Sequence, residues 1–586
     1  FDGWYVKGDP EKKLIDLATY KITKDTVLVA HYIAGSSVAS DGVLDYKAIE
    51  GKGYAVVGFH ENADKTKIDI PATINNQPII EVAEEAFEYE SDVTSVTMSD
   101  NIVRVGASAF YGVENAISLH LSNNLASIGQ EAFYGMSKVT SLEVPGSLKE
   151  IPKRAFAEMT SCASLTLHEG IETIRDEAFS EMPITYVSIP DSVKEIVGTK
   201  STSYFEENEK YDGCPFQDCK LLVKIHLGAG ISDINEGDFN YSCASLQTWE
   251  VSENNPYLVA KDGILYSKDM TTLLSLPCMW AIENADGEVD KEKTATFVVP
   301  DSVTTIGRRA MMGWNSSTSY ITKIVVGKNV RTVQSSAFYQ RKNCDIDFSN
   351  NNMLEEIGYR AFAYMDGIKN LELPESTKVV GDEAFYNCEN LESVVFGKAM
   401  THFGENMFKY CEKKPTVSFP KDADYFMDGE LIYNKAKTVA LYFNGDRSNP
   451  SKTDIVIPNT VTEIADNFLN GVAITSLTLG KAVQKIGDFA FADTGITSLT
   501  LPSSVTEVGE SAFEGCSDVA TLLISDNLEK IGANAFSGLS DAQIDKVTIK
   551  EDATVGEKAF YRLGLLKEVD YKAKVLPISC FEGCSS

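Results

Sequence analysis

The chain of 586 residues is 43% hydrophobic, 10% aromatic and 24% charged, which is enough apolar material for a large core and excludes a disordered tail. Against 53 Lys and Arg stand 85 Asp and Glu, a formal charge of −32. A surface that acidic repels phosphate backbones and anionic lipid, which disfavours nucleic-acid and membrane-surface binding. No apolar run approaches the roughly 18–20 residues of a membrane helix. The chain opens at Phe1 with no charged or apolar leader, so any signal or anchor is expected outside 1–586.

One phrase recurs along most of the sequence. It reads VPGSLKEIPKRAF at 144–156 and LPSSVTEVGESAF at 501–513. With its Phe as the marker, Phe87, Phe110, Phe133, Phe156 and Phe179 follow one another at intervals of 23 residues. The series continues through Phe216, Phe239, Met311, Phe338, Phe362, Phe385 and Phe408. It ends with Phe468, Phe491, Phe513, Phe536, Phe560 and Phe581, giving 18 rungs in all. Each unit predicts a short strand with two unlike faces, such as ITSLTL at 496–501, closed by a proline that cannot donate to a ladder. A turn and a brief helical or 3₁₀ return segment are expected to follow. One such unit cannot bury its apolar side alone, whereas stacked units share one continuous core. The fold class is therefore an α/β repeat solenoid, a right-handed leucine-rich-repeat coil with one parallel β-strand per unit of about 23 residues.

The unit LxxLxLPxxVxxIGxxAFxxC resembles the BspA-type (Treponema pallidum) leucine-rich repeat of bacterial surface proteins over residues 80–586. Residues 35–79 then form a linker and the N-terminal cap that a solenoid needs over its first apolar end. The stretch FDGWYVKGDPEKKLIDLATYKITKDTVLVAHY at 1–32 resembles the second half of a Listeria–Bacteroides (internalin-type) B repeat, which makes 1–34 a truncated β-module. The resemblance implies a secreted or cell-surface bacterial protein without catalytic activity. It further implies adhesion to host extracellular-matrix or cell-surface proteins, to other bacteria or to glycans. The alternatives are a stalk that displays other domains, or a polysaccharide-binding region of a larger surface enzyme.

Three insertions, near 197–213, 252–296 and 420–453, break the register. The last two resemble each other, YLVAKDGILYSKDMTTLLSL (257–276) against YFMDGELIYNKAKTVALY (425–442), and both read as β-hairpins. As local excursions they are dispensable to the solenoid; as a binding surface they would offer Tyr266, Trp280, Tyr433 and Tyr442 for stacking. The acidic run Glu283, Asp286, Glu288, Asp290 and Glu292 lacks EF-hand spacing and reads as a solvated loop.

Phasing the strands on ITSLTL gives the outward positions. Small hydroxyls dominate them, as in Ser95/Thr97, Ser141/Glu143, Ser498/Thr500, Thr521/Leu523 and Lys546/Thr548. Such a carpet is the natural surface of a solvated sheet face. The exception is Tyr186, Lys224, His226, Thr248 and Glu250, a stretch of mixed charge that forms the candidate binding patch, since recognition favours Tyr, Trp and Arg anchors.

Catalytic and cofactor signatures are missing from the sequence. The six histidines form no HExxH, and no GxSxG, GxGxxG or phosphate-binding GxxxxGK[ST] occurs. No cofactor or metal is expected. Of the 11 cysteines, Cys219, Cys388, Cys411, Cys516 and Cys584 lie three residues after a marker, which is the place of a small buried hydrophobe rather than of a disulfide framework. Cys214 and Cys219 are the one local pair able to close a loop.

Overall fold

A computed structural model of the chain describes residues 3–6, 28–31, 38–197, 214–234, 239, 242–284, 286, 288–313 and 319–584. The chain divides into two units, Phe1–Leu258 and Val259–Ser586. Among the described residues each unit is a β-solenoid of stacked turns with little helix. Of the expected B-repeat module only the antiparallel strands Gly3–Val6 and Leu28–His31 are described, and the rest lies outside the described residues, as does the insertion at 198–213.

Each coil places two short strands in two parallel ladders. In the first unit Ser95–Met98 pairs with Ser118–His120, and Ser141–Val144 with Ser164–Leu167, each in strict register. The second ladder is built from the pair of residues before the repeat glycine, such as Arg104–Val105 on Ser127–Ile128. That glycine is required by close approach: a Cβ at Gly129 would lie 2.2 Å from the backbone nitrogen of Ala107. At Gly404 it would lie 2.1 Å from the carbonyl carbon of Gly381.

The return segment is a run of turns rather than the brief helical or 3₁₀ segment expected. In most coils the residue two before the marker and the residue two after it have left-handed backbone, as at Glu383 (φ 54°) and Asn387 (φ 53°). Such residues interrupt i→i−4 bonding. They turn alternate N–H groups toward the next coil instead. Glu383 N donates to Glu405 O (2.7 Å), Phe385 N to Met407 O (3.0 Å) and Asn387 N to Lys409 O (2.8 Å).

The marker rings stack behind this third ladder. From Phe87 to Phe179 their centroids are 5.2–5.8 Å apart and their planes within 4–16°. Phe338 to Phe408 and Phe491 to Phe581 repeat the pattern in the second unit. One marker is corrected. Leu469, not Phe468, donates to Ala490 O as marker residues do, because Asn467 takes the left-handed position (φ 56°) two residues earlier. Phe468 accordingly crosses Phe491 at 86° instead of stacking on it.

The two long hairpins are not excursions. Leu258–Lys261, Ile264–Ser267 and Thr272–Ser275 run antiparallel, and the last then pairs in parallel with Thr305–Ile306 to begin an eight-stranded ladder ending at His402–Phe403. Leu276 N donates to Ala310 O (2.7 Å), the bond a marker residue makes elsewhere. Tyr425–Asp428, Leu431–Asn434 and Val439–Phe443 begin a second eight-stranded ladder in the same way, through Glu463–Ile464. Each hairpin is thus the first coil of a new ladder. The antiparallel pair Leu44–Ile49 and Gly53–Phe59 does the same in the first unit.

All 11 cysteines are free, Cys214 and Cys219 included, and all but Cys584 are buried. The thiols three after a marker donate to the marker carbonyl one coil back: Cys388 to Phe362 O, Cys411 to Phe385 O and Cys516 to Phe491 O, each at 3.1 Å. Burial pushes the thiols of Cys162, Cys344, Cys516 and Cys580 up to about 11.

Three outcomes are expected. Phe385→Ala leaves a cavity in the ring stack and costs about 3–5 kcal/mol, read by denaturant unfolding. Deleting 425–443 removes the strand on which Glu463–Ile464 pairs, so the cooperative transition of the following coils is lost; an unchanged circular-dichroism melt would restore the excursion reading. At pH 8 an alkylating reagent labels at most Cys584 in the native chain and all 11 thiols in denaturant, read by intact mass.

Candidate functional site

Tyr186–Ser188, Lys224–Leu227 and Thr248–Val251 are adjacent parallel strands of the first unit. Their register sets Tyr186 beside Lys224 and Lys224 beside Thr248, with Ser188, His226 and Glu250 in a second row. The inward residues Val187, Ile225 and Trp249 are buried, which fixes the outward side chains on the opposite face. All five residues singled out in the sequence therefore share one patch.

The patch is electrostatically coupled. Lys224 Nζ lies 5.2 Å from the centre of the Tyr186 ring and 3.1 Å from Glu250 Oε1. Glu250 Oε2 lies 3.8 Å from His226 Nδ1. Tyr186 is 45% exposed, so its ring is a surface anchor steadied by the cation beside it. The arrangement brings a ring face, an ammonium and a carboxylate together within three coils. Among the described residues no group of three or more His, Cys, Asp or Glu is placed to hold a metal ion.

The hairpin aromatics are corrected. Tyr266, Trp280, Tyr433 and Tyr442 are 2%, 8%, 1% and 6% exposed, so they are core rather than stacking surface. Trp280 donates from Nε1 to Asp262 O (2.8 Å) and packs edge-on against Phe297. Tyr442 stacks on Phe403 at 5.7 Å and donates its hydroxyl to Gly404 O. The physical reason is that a hairpin opening a ladder must plug the apolar column it starts. Burial pushes the phenols of Tyr266 and Tyr433 up to about 12. In the acidic run, Asp290 caps the short helix Lys291–Thr294 and Asn284 Oδ1 accepts from Asp286 N and Glu288 N, an ordinary loop.

The strand phasing slips near the end. Thr521 is followed by Gln543 and Leu565, whereas Val547–Ile549 pairs with Val569–Tyr571 in a separate ladder. Lys546 and Thr548 therefore do not continue the row of Thr521 and Leu523. The segment 540–546 accounts for the slip, because it holds the strand Gln543–Ile544 ahead of Val547–Ile549.

One surface feature escaped the sequence reading. Tyrosines one or two residues after the marker line up on consecutive coils: Tyr89, Tyr111 and Tyr134 in the first unit, and Tyr339, Tyr364, Tyr386 and Tyr410 in the second. Each row carries an arginine from the position two before a marker. Arg154 lies 4.7 Å from the Tyr134 ring centre, and Arg360 5.1 Å from those of Tyr359 and Tyr386. The signal was present as the Phe-Tyr and Phe-x-Tyr dipeptide pattern after the marker.

No helix of the described residues is long and apolar enough to cross a membrane. The chain is similar in structure to a leucine rich cell surface protein from Faecalibacterium prausnitzii A2-165, at 19% identity and a TM-score of 0.42, over 66% of this chain and 96% of that one. The pneumococcal vaccine antigen PcpA is similar at 18% identity and a TM-score of 0.39, over 81% and 93%. A leucine-rich repeat protein from Bacteroides ovatus gives 18% and 0.29, over 88% and 97%. No curated protein matches the chain. The family model of the BspA type leucine rich repeat region matches in six copies, over residues 80–212, 289–414 and 447–567, more than half of the sequence. Its repeat is the one whose strands, glycines and stacked rings are described above, and the chain belongs to the BspA-type leucine-rich-repeat family.

Proposed function

We propose that this chain is a non-enzymatic binding protein of the bacterial cell exterior, which holds a host or microbial surface protein or a glycan on side chains displayed by its coils. The observation that carries the reading is the Tyr186, Lys224, His226, Thr248 and Glu250 patch, where an exposed ring, a cation and a carboxylate meet on three adjacent strands. The fold has no need of these residues there, since neighbouring coils present Ser164 and Thr166 at the same positions. The residues of the patch are thus free for recognition at no cost to the core.

A second reading, a scaffold that spaces other parts of a surface protein, is favoured for residues 476–521. Their outward strand positions are Ser476, Thr478, Ser498, Thr500 and Thr521, with no anchor among them.

The test is a binding screen of the purified chain against matrix proteins, mucins and polysaccharides at physiological salt, where weak charge effects of a −32 protein are screened. A saturable partner is expected, with affinity reduced roughly tenfold or more in Tyr186→Ala and Lys224→Ala. Tyr186 is exposed and Lys224 half-buried, its ion pair with Glu250 open to solvent, so Lys224→Ala shifts stability by less than about 1 kcal/mol and the loss reads as binding. A partner bound equally by both variants removes the patch from the reading, and silence across the panel favours the scaffold.

A further inference from the structure

The third ladder has a gap inside the second unit. Coil after coil, the amides two before, at and two after the marker donate to the next coil, as Arg360, Phe362 and Tyr364 do to Asp382, Ala384 and Tyr386. The coil of Phe408 departs from this: among the described residues nothing accepts from the amides of Asn406, Phe408 and Tyr410. On the far side the coil of Leu469 has the matching defect. Its carbonyls at Asp466 and Phe468 receive no backbone amide, and that of Asn470 is taken by Arg447. The hairpin coil between them supplies a strand, Val439–Phe443, to its own ladder but no return segment to this one. Phe408 is accordingly left half-buried, whereas Phe385 and Phe491 are fully buried.

Side chains in this slot are also short of partners. Arg447 is only 6% exposed and its Nε has no acceptor, while Asn444 Oδ1 is buried without a donor. Buried polar groups are ordinarily paired, so a donor and an acceptor orphaned in one slot call for something that fits between them. Two cavities open along it. One of about 440 Å³ is lined by Asp382, His402, Glu405 and Asp466, and its carboxylates outnumber the guanidinium near them, that of Arg447. The other, of about 250 Å³, has Phe408, Val417 and Met427 as its apolar wall, with Lys414, Glu430, Asn444 and Asp446 around it.

Neighbouring coils stand about 4.8 Å apart, so omitting one return segment leaves about 9.6 Å between the two that remain, the room for one peptide backbone. A peptide offers carbonyls and amides together, at the interval at which these coils present theirs, as in strand addition at an open edge. We propose that the slot holds a peptide segment of a partner protein, with a Lys or Arg in the larger cavity and an apolar side chain over Phe408. Its carbonyls accept from the amides of Asn406, Phe408 and Tyr410 and from Arg447 Nε. Its amides donate to Asp466 O, Phe468 O and Asn444 Oδ1. The first unit shows the charge pattern such a segment needs. Lys153 and Arg154, three and two before Phe156, pair with Asp176 of the next coil (2.7 Å) and Glu131 of the preceding one (3.3 Å). Glu405 and Asp466 stand at the place of Asp176, three before Phe408 and Leu469. The slot lies in the second unit, and the inference does not depend on the Tyr186 reading.

The experiment is fluorescence anisotropy of the full chain with a labelled, end-capped peptide copying residues 151–159, IPKRAFAEM, and a scrambled peptide of the same composition as control. One variant, Glu405→Gln with Asp466→Asn, removes two charges and keeps the Asp466 Oδ1 acceptor used by Asp488 N. A second, Met427→Trp, fills the smaller cavity. Melting curves like the parent's show that both fold. Saturable binding is expected, weakened roughly tenfold or more in each variant and unchanged in Glu143→Gln of the first unit. Hydrogen exchange supplies a readout that a structural role would not move: the amides of Asn406, Phe408 and Tyr410 exchange fast in the free chain and roughly tenfold or more slower with peptide. The proposal is overturned by amides already as protected as those of Glu383, Phe385 and Asn387, by a scrambled peptide that binds as well, by no binding, or by binding that either variant leaves intact.

Discussion

Alternate backbone N–H groups of each turn find their acceptors on the next coil, and the rest of the structure follows from that. Glu383, Phe385 and Asn387 donate in sequence to Glu405, Met407 and Lys409. A lone coil would leave these groups unpaired, and an unpaired buried amide costs free energy comparable to a lost hydrogen bond. The left-handed residues around each marker exist to aim those donors. Glycine follows many of the short strands, as at Gly129 and Gly404, because coils bonded this closely leave no room there for a Cβ. Ring stacking, cysteine columns and strand register are consequences of the same translation from coil to coil.

A fold that satisfies itself only through neighbours needs special pieces wherever a ladder begins. The hairpins ending at Ser275 and Phe443 supply a ready-paired antiparallel edge and a plug of buried aromatics. At the second of these starts an arginine stands in for backbone. Asn470 is one residue past its marker, where the preceding coil's amide would ordinarily donate, and the guanidinium of Arg447 donates to its carbonyl. Arg447 also donates to Asn467 O at 3.4 Å and is only 6% exposed. A planar group with several donors suits that task because it can address two carbonyls from one side chain.

What the sequence made legible were the features that repeat. The period, the marker column, the strand faces and the grouping of Tyr186 with Lys224 and Glu250 all follow from phase alone. What it concealed were features set by a neighbour's position. Phe468 keeps the marker spacing, yet Asn467 takes the left-handed turn and hands the column to Leu469. Tyr266, Trp280, Tyr433 and Tyr442 look like display residues on a hairpin, and only the pairing of that hairpin into a ladder shows that their faces are closed over by the next coil. The brief helical or 3₁₀ return was expected of each repeat unit, whose residue pattern carries no sign of the left-handed residues that turn it into a third ladder.

The same translational rule governs what the surface can present. A side chain at one position on successive coils is copied with its orientation, so Tyr111 and Tyr134 lie parallel like the buried phenylalanines. A shift of one residue changes the backbone from right- to left-handed and turns the ring across its neighbour, as from Tyr386 to Tyr410. Spacings of 25, 22 and 24 residues between successive tyrosines of the second unit therefore encode relief, while the marker spacing beneath them stays within 23–24. The ladder demands constancy only of the residues that face it. Display positions can consequently vary by one residue, coil by coil, without disturbing the core, and a surface of chosen pitch can be written on a stack of uniform pitch.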